Sequence, residues 1–147
     1  MKKAAIVVAA VMSLAACGGG SSSPTSSGPV YPNVAGNYSG TTTMSFPELV
    51  MQITCPTTTT ITGSGANIAA APLILGGQCG NMSIPLGAAT IDTNGQLESV
   101  SGTFTDPSCG TYQYTASGGF FGRELRMSIN ATSRTCWNIN MTFLLSR

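Results

Sequence analysis

The chain is 147 residues long, 42% hydrophobic and only 7% charged, with 18 glycines, eight prolines, five cysteines and no histidine. Both lysines lie in the first three residues; beyond them four arginines (Arg123, Arg126, Arg134, Arg147) face five carboxylates (Glu48, Asp92, Glu98, Asp106, Glu124). That balance leaves no basic patch for nucleic acid. A chain without histidine, and without lysine past residue 3, also lacks the usual general bases and the Cys/His sets that hold zinc.

Residues 1–16 have the order of an export signal. Lys2 and Lys3 form a positive start, residues 4–14 are largely apolar, and Ala15 and Ala16 are the small residues before Cys17. The apolar run is about thirteen residues, short of the ~20 that a membrane-spanning helix needs. Leu14-Ala15-Ala16-Cys17 resembles the lipobox of bacterial lipoproteins. The resemblance implies cleavage before Cys17, acylation of Cys17 (palmitate among the chains), and a membrane partner held through those chains. Gly18, in place of an aspartate, implies sorting to the outer membrane of the bacterial cell envelope. Lipidation also accounts for the odd cysteine of five.

Residues 17–32 continue as a Gly/Ser/Pro tract without large apolar side chains until Val30 and Tyr31, a composition that does not order itself. The remainder, residues 33–147, is enough chain for one core. Its pattern predicts an all-β fold. Tyr38, Gly40, Thr42, Met44 and Phe46 share one parity, then Leu49, Met51 and Ile53; residues 64–90 are hard to read because Pro72 and Pro85 interrupt them. Asn94-Gly95 is a strong hairpin signal. Gly102 and Phe104 precede a turn at Asp106-Pro107-Ser108, where the aspartates read as turn caps.

Alternation is clearest towards the end: Tyr112, Tyr114 and Ala116; then Leu125, Met127 and Ile129; then Trp137, Ile139, Met141, Phe143 and Leu145. Short strands joined in sequence order predict an antiparallel meander, closed or nearly closed into a barrel of about eight strands, with a two-sheet sandwich as the alternative. Tyr38, Tyr112, Tyr114, Met127, Trp137 and Met141 are then the candidate interior, either a filled core or the lining of a small apolar pocket.

Cys55, Cys79, Cys109 and Cys136 read as two disulfides in an exported protein. Cys109 and Cys136 share the polar parity, which favours pairing them outside the wall and leaves Cys55 with Cys79. No metal or cofactor is expected. Gly36-Asn37-Tyr38-Ser39-Gly40 resembles the Gly-x-Trp opening of lipocalin-like (calycin) barrels, with Tyr in the Trp position; the same residues also read as a plain strand start with a core aromatic. The resemblance implies a late arginine against that aromatic, Arg134 or Arg147, and a carrier of a small apolar ligand. The composition itself points to a non-enzymatic binding or structural role towards an envelope protein, with inhibition of a periplasmic hydrolase as a further alternative.

Overall fold

The computed structural model describes residues 27–147. The expected signal (residues 1–16), Cys17 and most of the expected linker therefore lie outside the described residues. Ten strands follow one another: β1 (Gly36–Phe46), β2 (Met51–Ser64), β3 (Asn67–Ala70), β4 (Leu73–Leu75), β5 (Met82–Ile84), β6 (Gly87–Thr90), β7 (Gln96–Asp106), β8 (Gly110–Phe121), β9 (Glu124–Ser133) and β10 (Ile139–Ser146). All pairings are antiparallel.

They build an eight-stave barrel, because β3 with β4, and β5 with β6, are each one stave interrupted at a proline. β3 and β4 both pair with β2, and Ala71 N bridges the break by donating to Thr60 O at 2.8 Å. The next stave breaks at Pro85, where β5 pairs with β4 and β6 with β3. Proline has no hydrogen for the ladder, so each interruption falls where the stretch was hardest to read. Pro56 is tolerated inside β2 because its carbonyl, and with it the hydrogen-free nitrogen, faces the β4–β5 turn, where Gly76 N donates at 2.8 Å.

β1 pairs with β10 from Ser39↔Ser146 to Ser45↔Asn140, so the first and last strands close the wall. The opposite junction, between the β5/β6 stave and β7, stays a seam. One isolated bridge, Ile91↔Leu97, crosses it beside an irregularity in β7 between Leu97 and Val100. Side chains tie the rest: the Thr90 hydroxyl donates to Glu98, and the Tyr114 hydroxyl donates to Pro85 O. Tyr114 passes over Gly102 to reach that carbonyl. A Cβ on Gly102 would lie 2.6 Å from the Tyr114 hydroxyl, so this inward position has room for no side chain.

Alternation of burial along β8, β9 and β10 puts one face of each strand inside. Tyr38, Met44, Phe104, Tyr112, Tyr114, Phe120, Leu125, Met127, Ile129, Ile139, Met141, Phe143 and Leu145 are all buried in one core. The aromatic rings are in contact. Phe104 stacks on Tyr112 with centroids 5.0 Å apart, and Tyr38 meets Phe120 edge-on at 5.8 Å, pairs worth about 0.5–1.5 kcal/mol beyond burial.

Two expectations change. Trp137 shares the parity of Ile139 but is 48% exposed, because β10 begins only at Ile139 and the preceding residues form the loop from β9. Leu49 and Met51 likewise stand outside, 41% and 44% exposed, because Leu49 belongs to a 3-10 turn (Pro47–Leu49) at the hairpin tip. The inward row of β2 begins in earnest at Cys55 and runs through Thr57, Thr59 and Ile61.

Candidate functional site

The barrel has two unlike ends. At the N-terminal rim are the start of β1, the turn between β6 and β7, the β8–β9 turn and Arg147. Residues 32–35 are strapped across it: Val34 is buried, its carbonyl accepts from the Tyr38 hydroxyl at 2.9 Å, and Arg147 Nη1 donates to Asn33 O at 3.0 Å and Ala35 O at 2.7 Å. Arg147 is therefore the arginine beside the opening of β1, whereas Arg134 lies in the β9–β10 loop at the other end. Burial raises the Tyr38 hydroxyl above its ordinary value, and the Arg147 charge offsets part of that.

At the opposite, disulfide rim are the β1–β2, β4–β5, β7–β8 and β9–β10 connections. Both disulfides are here. Cys55–Cys79 ties the β4–β5 turn to β2 (Cα–Cα 6.0 Å), and Cys109–Cys136 joins the β7–β8 turn to the β9–β10 loop (Cα–Cα 5.4 Å). The second link is thus a turn-to-turn strap at the rim; neither of its cysteines sits within a strand, so strand parity does not describe how they meet. Met44 Sδ lies 3.2 Å from Cys79 Sγ, a sulfur contact beneath the first link.

The inward side chains pack on one another in a single buried cluster. Where the interior is polar it is internally paired: Thr42 and Thr57 share a hydroxyl hydrogen bond of 2.7 Å, and Thr59 donates to Ala71 O at 2.8 Å. Among the described residues no buried polar side-chain atom lacks a partner. Tyr112 donates to Trp137 O at 3.3 Å, and burial raises the Tyr112 and Tyr114 hydroxyls above the ordinary 10.0. Of the interior candidates, Tyr38, Tyr112, Tyr114, Met127 and Met141 lie in this packed core, and Trp137 does not.

All five carboxylates are engaged in local structure. Asp92 Oδ1 accepts from Asn94 N and Gln96 N, both at 2.8 Å, and these backbone donors, Gln96 first, hold its carboxyl below the ordinary value. Asp106 Oδ1 accepts from Ser108 N at 2.8 Å and Cys109 N at 2.9 Å. Glu98 receives Thr90, Glu124 pairs with Arg126 at 2.6 Å, and Glu48 Oε1 accepts from Asn138 Nδ2 at 2.8 Å. Glu48 and Asp106 both lie near enough to the Tyr112 hydroxyl to add to its upward shift, and among the described residues no group of three or more Cys/Asp/Glu could hold a metal.

What the disulfide rim does present is exposed apolar surface. Leu49, Val50 and Met51 form the β1–β2 tip, with Val50 96% exposed, and Trp137 stands on the adjoining loop. The Glu48–Asn138 hydrogen bonds join these two connections, and Cys109–Cys136 fixes the second of them. Val50 takes left-handed backbone angles (φ 51°, ψ 38°), an outlier for a β-branched residue that costs about 1–3 kcal/mol. The sequence reading missed this rim; the signal available was a Leu-Val-Met run directly after Pro47-Glu48, where a turn ordinarily carries polar residues.

Fold and surface together define a filled, disulfide-braced antiparallel barrel with an apolar rim. Comparison with protein-family models, with curated proteins and with solved structures finds no match.

Proposed function

We propose that this chain is a lipid-anchored lipoprotein of the bacterial cell envelope, held through acylated Cys17 in the outer membrane, with a non-enzymatic role: it binds an envelope protein through its disulfide rim. The observation that carries the reading is the exposed Leu49, Val50, Met51 and Trp137 on connections braced by a disulfide and by Glu48–Asn138. Exposed apolar clusters with a tryptophan favour protein contact, and a pre-ordered one loses little entropy on binding. Engagement of every carboxylate in local structure supports a role without catalysis. The packed interior favours surface binding over the lipocalin-like carriage of an apolar ligand, which would need space inside the barrel.

Two experiments test this. Cys17→Ser is expected to move the protein from the membrane to the soluble fraction, and unchanged fractionation sinks the anchor. A photo-crosslinking residue at position 137 or 50 is expected to give one discrete adduct in intact cells, and the same residue at Thr115 on the outer wall none; equal labelling from both sites removes the rim as the binding surface. An adduct with a periplasmic hydrolase would narrow the role to inhibition.

A further inference from the structure

We propose that the outer wall beside the N-terminal rim, carrying Phe121, Leu144, Arg123 and Arg126, docks on the lipid surface that holds the acyl chains. The inference rests on the lipid-anchor reading of Cys17 and adds an orientation to it.

The argument starts where the chain leaves the barrel. Arg147 holds the carbonyls of Asn33 and Ala35, and its own backbone pairs with the β8–β9 turn: Arg147 N donates to Arg123 O at 2.9 Å, and Arg123 Nε donates to Arg147 O at 3.1 Å. Residues 33–35 are thus held at the same rim as the β8–β9 turn, which has Phe121 on its shoulder, and Pro32 reaches Gly95 in the neighbouring β6–β7 turn. A Gly/Ser-rich tract of the length of residues 17–31 has a root-mean-square reach of about 20 Å. A tilted strand of the wall is roughly 25–30 Å long. The face beside the exit thus lies within the linker's natural reach of the bilayer, whereas the disulfide rim lies about a barrel length further away.

The chemistry of that face suits a lipid interface. Phe121 and Leu144 are 48% and 51% exposed. Leu144 is the cross-strand partner of Arg126, whose guanidinium lies 5.5 Å from the Phe121 ring centroid. Arg126 is paired with Glu124, and Arg123 Nε donates to Arg147 O. Aromatic and aliphatic side chains bordered by arginine can enter the headgroup–acyl boundary while the cations remain with the phosphates. A protein-borne patch tethered at this range needs little affinity of its own, because the linker supplies a high local concentration of membrane. Because Phe121 and Leu144 sit at the rim end of the wall, the domain docks by that end with its axis standing off the membrane, which holds Val50 and Trp137 at the far end.

The test uses the full, acylated protein in vesicles of phosphatidylethanolamine and phosphatidylglycerol, with and without bromine on the acyl chains. The native Trp137 reports on the far rim; in a Trp137→Phe background, Phe121→Trp and, separately, Leu144→Trp report on the patch. The expected result is severalfold bromine quenching and a blue shift at 121 and 144, with none at Trp137 in the wild type. Protein that floats with vesicles but is unquenched at both patch positions overturns docking and leaves the anchor standing. Quenching at Trp137, or a blue shift at 121 without bromine quenching, also overturns it, the latter pointing to a protein partner or second copy on this face. If the wild type fails to float, the anchor reading falls and docking falls with it; flotation lost only in Cys17→Ser establishes the anchor independently.

Discussion

The wall of this barrel is made of two unequal halves. β1, β2, β8, β9 and β10 are long and run in unbroken register, including the β1–β10 closure. The half formed by β3 to β6 consists of segments of three or four residues, broken at Pro72 and Pro85 and joined to β7 by a seam. The same buried row serves both, but the second half compensates for missing ladder bonds with a disulfide and side-chain hydrogen bonds. Stability should therefore be uneven, with β5 and β6 opening well before the long staves.

The strongest challenge to that contrast is Phe143→Ala, in the centre of the long half, where Phe143 is 1% exposed. It should cost about 3–5 kcal/mol and lower hydrogen-exchange protection everywhere at once; a local effect would mean that the long half is not the cooperative unit. Next, removing the link of the short half with Cys55→Ser and Cys79→Ser together should cost about 3 kcal/mol, given the chain-entropy term for a loop of this size. That loss should appear first in exchange at residues 73–84, and denaturation midpoints within error of the wild type would refute the bracing role.

A smaller effect isolates the seam. Tyr114→Phe keeps the ring and deletes only the donor to Pro85 O, so about 1 kcal/mol is expected. Faster exchange at Leu86 and Gly87 with β9 unchanged would mark the seam as a separate opening unit, and uniform change would deny it. The smallest effect concerns the turn that delivers the chain across the seam. Because the Asp92 carboxyl is held below its ordinary 3.8 by backbone donors, its contribution is complete above that value. It is lost as pH falls through 3.8 and then through the lower folded value. Asp92→Asn should flatten the acid limb of a Tm–pH curve in this window, and an unchanged limb would assign acid sensitivity to other groups.

The same division decided how much was readable in the sequence. In β8, β9 and β10 large apolar residues alternate with polar ones, so parity alone places Tyr112, Tyr114, Met127 and Met141 on a common face. Asn94-Gly95 marks its turn because Gly95 takes a left-handed φ of 82° there. The run Thr57–Thr60 gives no such signal: identical side chains alternate between the inside, where Thr57 bonds Thr42 and Thr59 bonds Ala71 O, and the outer face, and no periodicity in residue type distinguishes them. At the rim the pattern misled, because Trp137 keeps the parity of a strand that has not yet begun. Leu49, Val50 and Met51 look like core in one dimension and prove to be a tip only when the hairpin is seen. The candidate surface was illegible for that reason: apolar residues announce burial, and their exposure is a property of the fold.

The β1–β10 closure also sets a timetable. Ser39 pairs with Ser146, more than a hundred positions later, and Arg147 supplies the donors that hold residues 33–35 in place. A chain emerging amino terminus first has no partner for the outer edge of β1 until β10 has emerged. Such wide sequence separation also makes folding slow. Local hairpins and the Cys55–Cys79 link can form earlier, but the barrel shuts only on β10, so loss of Leu144–Arg147 would leave an open edge and an unlatched amino-terminal strap.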